Sequence, residues 1–106
     1  KRFINNTRIL NQETFEEILN ALRKNKQELD MTYSILNLKQ ENKTFEEISN
    51  IVTQEIREND YIGLGRNNKI FILLTNTKDD YARIVVDRLL SKGIITSIVK
   101  EDSIEV

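Results

Sequence analysis

Cysteine and histidine are both absent from the 106 residues. Without them there is no disulfide, no thiol nucleophile, no imidazole base and no soft-ligand metal site. Histidine-dependent serine hydrolases, cysteine proteases and zinc hydrolases are excluded together. Proline is also absent, and no low-complexity run marks a linker. The chain holds no apolar run near the ~18 residues of a membrane-spanning helix and no signal-peptide core. A large charge of one sign is missing too: 16 Lys and Arg against 17 Asp and Glu leave −1. The two signs are interspersed, so no basic stripe tracks a nucleic-acid backbone, and DNA and RNA are not expected as partners. A small anionic ligand needs only a few local arginines and stays open.

What is present suits one small domain over residues 1–106 with a heavily solvated surface. Apolar residues make up 39% and charged residues 31%. A disordered chain would carry fewer Ile, Leu, Val and Phe and a larger net charge. The chain opens on Lys1 rather than Met, which reads as a domain cut from a longer protein. Any membrane anchor would then lie outside it, and the lack of cysteine points to the cytoplasm.

A helix-start signal recurs along the chain. Thr14-Phe15-Glu16-Glu17-Ile18 returns as Thr44-Phe45-Glu46-Glu47-Ile48, each an S/T-x-x-E capping box. Thr77-Lys78-Asp79-Asp80 is a weaker third copy. Helices are expected over 14–26, 44–58 and 78–92. Phe45, Ile48, Val52 and Ile56 share one face of the second, and Ala82, Val85, Val86 and Leu89 one face of the third. Strands are expected over 31–38, 61–65, 70–75 and 94–99. Asn67-Asn68, a pair that tolerates positive φ, suits a hairpin between the middle two, and Gly93 suits the end of the last helix. The order α-β-α-β-β-α-β predicts an α+β fold of ferredoxin-like type (split βαββαβ) with an additional N-terminal helix.

The hairpin region carries a further signal. Arg57-Glu58-Asn59-Asp60 is followed by Tyr61-Ile62-Gly63-Leu64-Gly65, the turn Arg66-Asn67-Asn68-Lys69, the apolar run Ile70 to Thr75, and Thr77 before a helix. This succession resembles diguanylate cyclase (GGDEF) domains. In that family an RxxD motif, five residues, the GGDEF hairpin, an apolar strand and a helix start come in this order. Asn11 to Phe15 resembles the start of the family's first helix, so the likeness runs over roughly residues 8–99.

The departures fall where the resemblance would place catalysis. Cyclases need carboxylates for two Mg²⁺ ions that neutralise the triphosphate. Asn37 stands at the first-strand metal position with Lys39 two residues on, and the signature reads Arg66-Asn67-Asn68-Lys69-Ile70. About a dozen residues of the substrate-binding segment are also missing. The sequence expectation is a degenerate domain that is not an enzyme, with no cofactor.

The resemblance also implies an inhibitory site for cyclic di-GMP, built from Arg57 and Asp60 with Arg88, 31 residues beyond Arg57. A guanidinium fork matches guanine O6 and N7, a carboxylate accepts from N1–H and N2–H₂, and two phosphates favour cations. A receptor regulating a protein partner in a signalling or polysaccharide-secretion assembly follows, similar to the PelD-like receptors of exopolysaccharide export. Two other readings stand beside it: a ligand-free interaction or dimerisation module, and a residual nucleotide hydrolase. For Arg57 and Asp60 the plain alternative is a surface pair at a helix end, worth ~0–1 kcal/mol. Arg83 reads as plain surface, and Tyr33 and Tyr61 as packing. Tyr81 shares a helix flank with Arg88.

Overall fold

The computed structural model describes residues 2–100. Five strands form one sheet in the order β1-β3-β4-β2-β5. They are β1 (Ile9–Leu10), β2 (Tyr33–Lys39), β3 (Tyr61–Leu64), β4 (Ile70–Thr75) and β5 (Ile95–Val99), and the helices are α1 (Gln12–Leu29), α2 (Phe45–Glu55) and α3 (Asp79–Ser91). From β2 onward the βαββαβ order holds, with β3–β4, β4–β2 and β2–β5 all antiparallel. The α+β, ferredoxin-like expectation is met. The short β1 is an addition: two residues pairing in parallel with Ile62 and Gly63 are too few to show a period in sequence.

Helix starts follow side-chain chemistry, with two departures from expectation. At α2 the capping box forms as expected: Thr44 Oγ1 accepts from Glu47 N at 3.1 Å, and Glu47 Oε1 accepts from Thr44 N at 2.8 Å. At α1 the cap is Asn11, whose side chain accepts from Thr14 N at 2.8 Å. Thr14 therefore lies inside the helix, because an Asn three residues earlier already satisfies that amide. At α3 Lys78 occupies the cap position without a side-chain bond, since the Thr77 hydroxyl is engaged elsewhere. Helix α2 also ends earlier than expected, at Glu55, which leaves residues 57–60 in a loop.

Two apolar layers sandwich the sheet. Ile48 and Val52 of α2 and Ala82, Val85 and Leu89 of α3 pack against Leu36, Leu38, Ile62, Ile72 and Leu74 on one face. On the other, Phe15 and Leu19 of α1 meet Leu10, Ile35, Phe71 and Leu73. Ile35 and Leu36 thus serve opposite layers, as strand alternation requires. The first helix covers the face that the βαββαβ core leaves open. Phe15 stacks on Phe71 with centroids 6.0 Å apart and rings 9° from parallel. Gly63 makes room for that pair, because a Cβ there would sit 2.4 Å from the Phe15 ring. At the β3–β4 hairpin Asn67 and Asn68 take φ of 58° and 59°, as expected of the Asn pair, and the last helix ends at Gly93 with φ 84°.

Two stability tests follow. Gly63→Ala should lower the unfolding free energy by about 1–3 kcal/mol, the usual cost of overpacking, in urea titrations. The cap bonds with Thr44 hold the Glu47 carboxyl below its ordinary value. Its folded pKa being depressed, the stabilisation is present above the unfolded pKa and lost as pH falls through the folded one. Glu47→Gln should flatten that acid-side loss of thermal midpoint, measured against the wild type.

Candidate functional site

Beyond α2 the chain turns through Arg57 to Asp60, with Asp60 N donating to Arg57 O at 3.0 Å. The turn points the Asp60 side chain inward, where it is 1% exposed. A buried carboxylate is stable only when its acceptor sites are filled, and here they are. Asp60 Oδ2 accepts from Arg57 N at 2.9 Å and Arg57 Nε at 3.0 Å. Asp60 Oδ1 accepts from Arg57 Nη2 at 3.2 Å, Thr75 N at 3.0 Å and Thr75 Oγ1 at 3.4 Å.

The bidentate guanidinium reaches further. Arg57 Nη2 also donates to the Thr75 carbonyl and to Thr77 Oγ1, and Thr77 Oγ1 donates to Thr75 O at 2.7 Å. Ser34 Oγ donates to Thr77 O at 3.0 Å. The loop before β3, the end of β4 and the approach to α3 are therefore tied by one network. The hydrogen bonds to Asp60 raise the Arg57 pKa above its already high value, opposed by desolvation and assisted by the nearby Asp60 charge. This corrects the surface-pair alternative: the pair lies off the helix, and one partner is buried.

Arg88 approaches from α3. Its Nη2 donates to Glu55 O at 2.8 Å, and its Nε lies 3.9 Å from Glu55 Oε1. It thus caps the last turn of α2, where free carbonyls attract cations. Between the two arginines stands Tyr81. The Arg57 guanidinium carbon lies 5.0 Å from its ring centroid and that of Arg88 5.9 Å, within cation–π range. Arg88 Nη2 is 3.4 Å from the Tyr81 hydroxyl. The structure brings Arg57, Asp60 and Arg88 to one side of the domain, with Tyr81 joining the arginines and Asp60 acting through Arg57. Both arginine side chains are 44% exposed. The sequence had pointed to Tyr81 by its helical spacing from Arg88. Thr75 and Thr77 were missed, since their roles need contacts across the sheet end. Arg83 only pairs with exposed Asp80 at 3.6 Å.

No protein-family model matches the chain, and no curated protein matches it. Solved structures do. Diguanylate cyclase SiaD from Pseudomonas aeruginosa, seen in complex with its activator SiaC, is similar at TM-score 0.70 and 19% identity over 91% of this chain. A DGC protein from Thermotoga maritima is similar at TM-score 0.68 and 20% identity over 88%. The chain spans 47% of the SiaD chain's length and 80% of the Thermotoga one. At these identities the likeness establishes a GGDEF-like fold.

The comparison overturns one expectation. The chain was expected not to be an enzyme, yet its fold is shared with a diguanylate cyclase, and no feature among the described residues is a direct sign of inactivity. The Mg²⁺ pair is a separate matter. Asn37, Asn68 and Lys69 supply no carboxylate, and no group of three His, Cys, Asp or Glu that could hold a metal ion occurs among the described residues. At the positions where the resemblance would place them, such ions would find no carboxylate.

Removing the buried acceptor should be costly. Asp60→Ala strands the Thr75 amide and unpairs Arg57, and is expected to lower stability by about 2–4 kcal/mol in chemical denaturation. An unchanged midpoint would contradict the structural role of the carboxylate.

Proposed function

We propose that the chain is a receptor domain for cyclic di-GMP, held at the face formed by Arg57, Tyr81 and Arg88, with Asp60 fixing Arg57. The observation that carries this reading is the pair of half-exposed guanidinium groups facing one tyrosine ring. Arg57 is held rigid from within by Nε and Nη2, and its Nη1 has no bond to a described residue. A pre-oriented donor of this kind matches guanine O6 and N7, and Arg88 adds charge for phosphate. A purine can stack on guanidinium and aromatic faces. With its acceptor sites filled, Asp60 contributes through Arg57, and recognition falls on the two arginines and the tyrosine.

On this reading the output is a protein in a signalling or polysaccharide-secretion assembly. The dinucleotide acts by favouring one arrangement of that contact over another, which requires different affinities for the two states. A second reading, a protein-interaction module, is favoured by one comparison: SiaD was crystallised with its activator protein.

Calorimetry separates the two. Cyclic di-GMP should bind near micromolar, roughly −8 kcal/mol. Arg88→Ala should weaken binding about tenfold, and Tyr81→Ala by a similar factor. Arg88→Ala gives up its bond to Glu55 and Tyr81→Ala gives up packing against the core, so each should lower the thermal midpoint, but by less than Asp60→Ala. Absence of heat at about 100 μM dinucleotide would favour the interaction module.

A further inference from the structure

A second arginine cluster lies on the N-terminal side of the same loop. Residues 3–10 fold back on themselves: Phe3 bridges Leu10, and Ile4 N donates to Ile9 O at 2.8 Å. The turn is closed by Asn6 at φ 61° and by Thr7 Oγ1, which donates to Ile4 O and accepts from Ile9 N. This hairpin places Arg2 and Arg8 over one ring, with guanidinium carbons 6.0 and 4.2 Å from the Phe3 centroid. Both backbones are anchored. Arg8 N donates at 2.8 Å to Oγ of Ser49, a buried residue of α2, and Arg2 O accepts from Asn11 N at 2.7 Å.

Neither arginine has a carboxylate partner among the described residues. Both line each of two hollows. One, about 640 Å³, lies against α2 and has no acidic residue in its lining. The other, about 560 Å³, extends to Arg57 and Glu58. Its Asp60 is consumed by Arg57 and Thr75, which leaves Glu58 as the remaining acid there. Two cations at one ring, without a carboxylate partner among the described residues, favour an anionic guest that can meet both.

We propose that this cleft binds a small molecule bearing a diphosphate group, with Arg2 and Arg8 each gripping one phosphoryl unit. A guanidinium fork takes two oxygens of one phosphoryl, so two forks held at one ring match two linked phosphoryls better than one. The hollows fall within the size range of small-molecule sites. Arg2 and Arg8 lie on a different element from Tyr81 and Arg88, and only the far end of the second hollow reaches Arg57, so the proposal does not rest on the dinucleotide reading.

The test is titration of the chain with inorganic pyrophosphate, beside orthophosphate, a polyaspartate peptide and cyclic di-GMP. Pyrophosphate should bind with Kd below about 1 mM and at least about tenfold tighter than orthophosphate. Arg8→Gln and Arg2→Gln should each weaken it about tenfold, whereas Arg83→Gln, which removes the same charge elsewhere, should not. Cyclic di-GMP affinity should be unchanged in Arg8→Gln, so loss of one ligand is distinguishable from loss of the other. In wild-type chain, amide NMR shifts of Arg8, Ser49 and Thr53 should move with pyrophosphate, a readout that survives any misfolding variant. The proposal is overturned by no binding at about 10 mM, by affinity that both variants retain, by shifts confined to 78–92, or by preference for the peptide.

Discussion

The buried Asp60 carboxylate is the constraint on which the face formed by Arg57, Tyr81 and Arg88 depends. It sits in a turn just past α2, and the groups that neutralise it come from its own loop and from the end of β4. Withdrawing the charge from water would be prohibitive unless every acceptor position were filled. Filling them draws Arg57 across the sheet end to Thr75 and Thr77 and so sets the approach to α3. The orientation of Tyr81 against Arg57 is a consequence of this neutralisation.

The sheet beneath is a three-layer arrangement with a narrow tolerance at one point. Antiparallel ladders commonly leave one face to solvent, yet here α1 closes that face by seating Phe15 over Gly63 and against Phe71. Its cap, Asn11, directly follows β1, and β1 is the return strand of the hairpin that carries Arg2 and Arg8. One short segment therefore seals the second core layer and builds the N-terminal arginine pair.

Two cationic faces thus flank the loop from α2 to β3. One uses Arg57 and Arg88 about Tyr81, the other Arg2 and Arg8 about Phe3. In each, two guanidinium groups lie against one aromatic ring; the first pair also has carboxylate partners in Asp60 and Glu55. The net charge of −1 conceals both, because acids are spread over the rest of the surface. Overall balance says nothing of local concentration. The shared fold with a diguanylate cyclase places both faces on a scaffold that elsewhere performs catalysis.

Much was legible from local chemistry. Runs of β-forming residues, helical faces, the Thr44–Glu47 capping box and the left-handed Asn67-Asn68 turn depend on neighbours within a few residues, so the α+β order could be read directly. The set of Arg57, Asp60 and Arg88 rested instead on the resemblance to GGDEF domains, since Arg88 lies 31 residues beyond Arg57. Other features needed the third dimension. Strand β1 exists because two residues found a parallel partner 53 positions away. The cap of α1 lies one turn earlier than Thr14, at Asn11, where the helix meets the end of β1. That Asp60 is buried, that Thr75 and Thr77 complete its network, and that Arg2 and Arg8 share a ring are all contacts between segments distant in sequence. Local sequence determines which elements form. Only packing decides which polar groups lose water, and that loss determines which partners they must find.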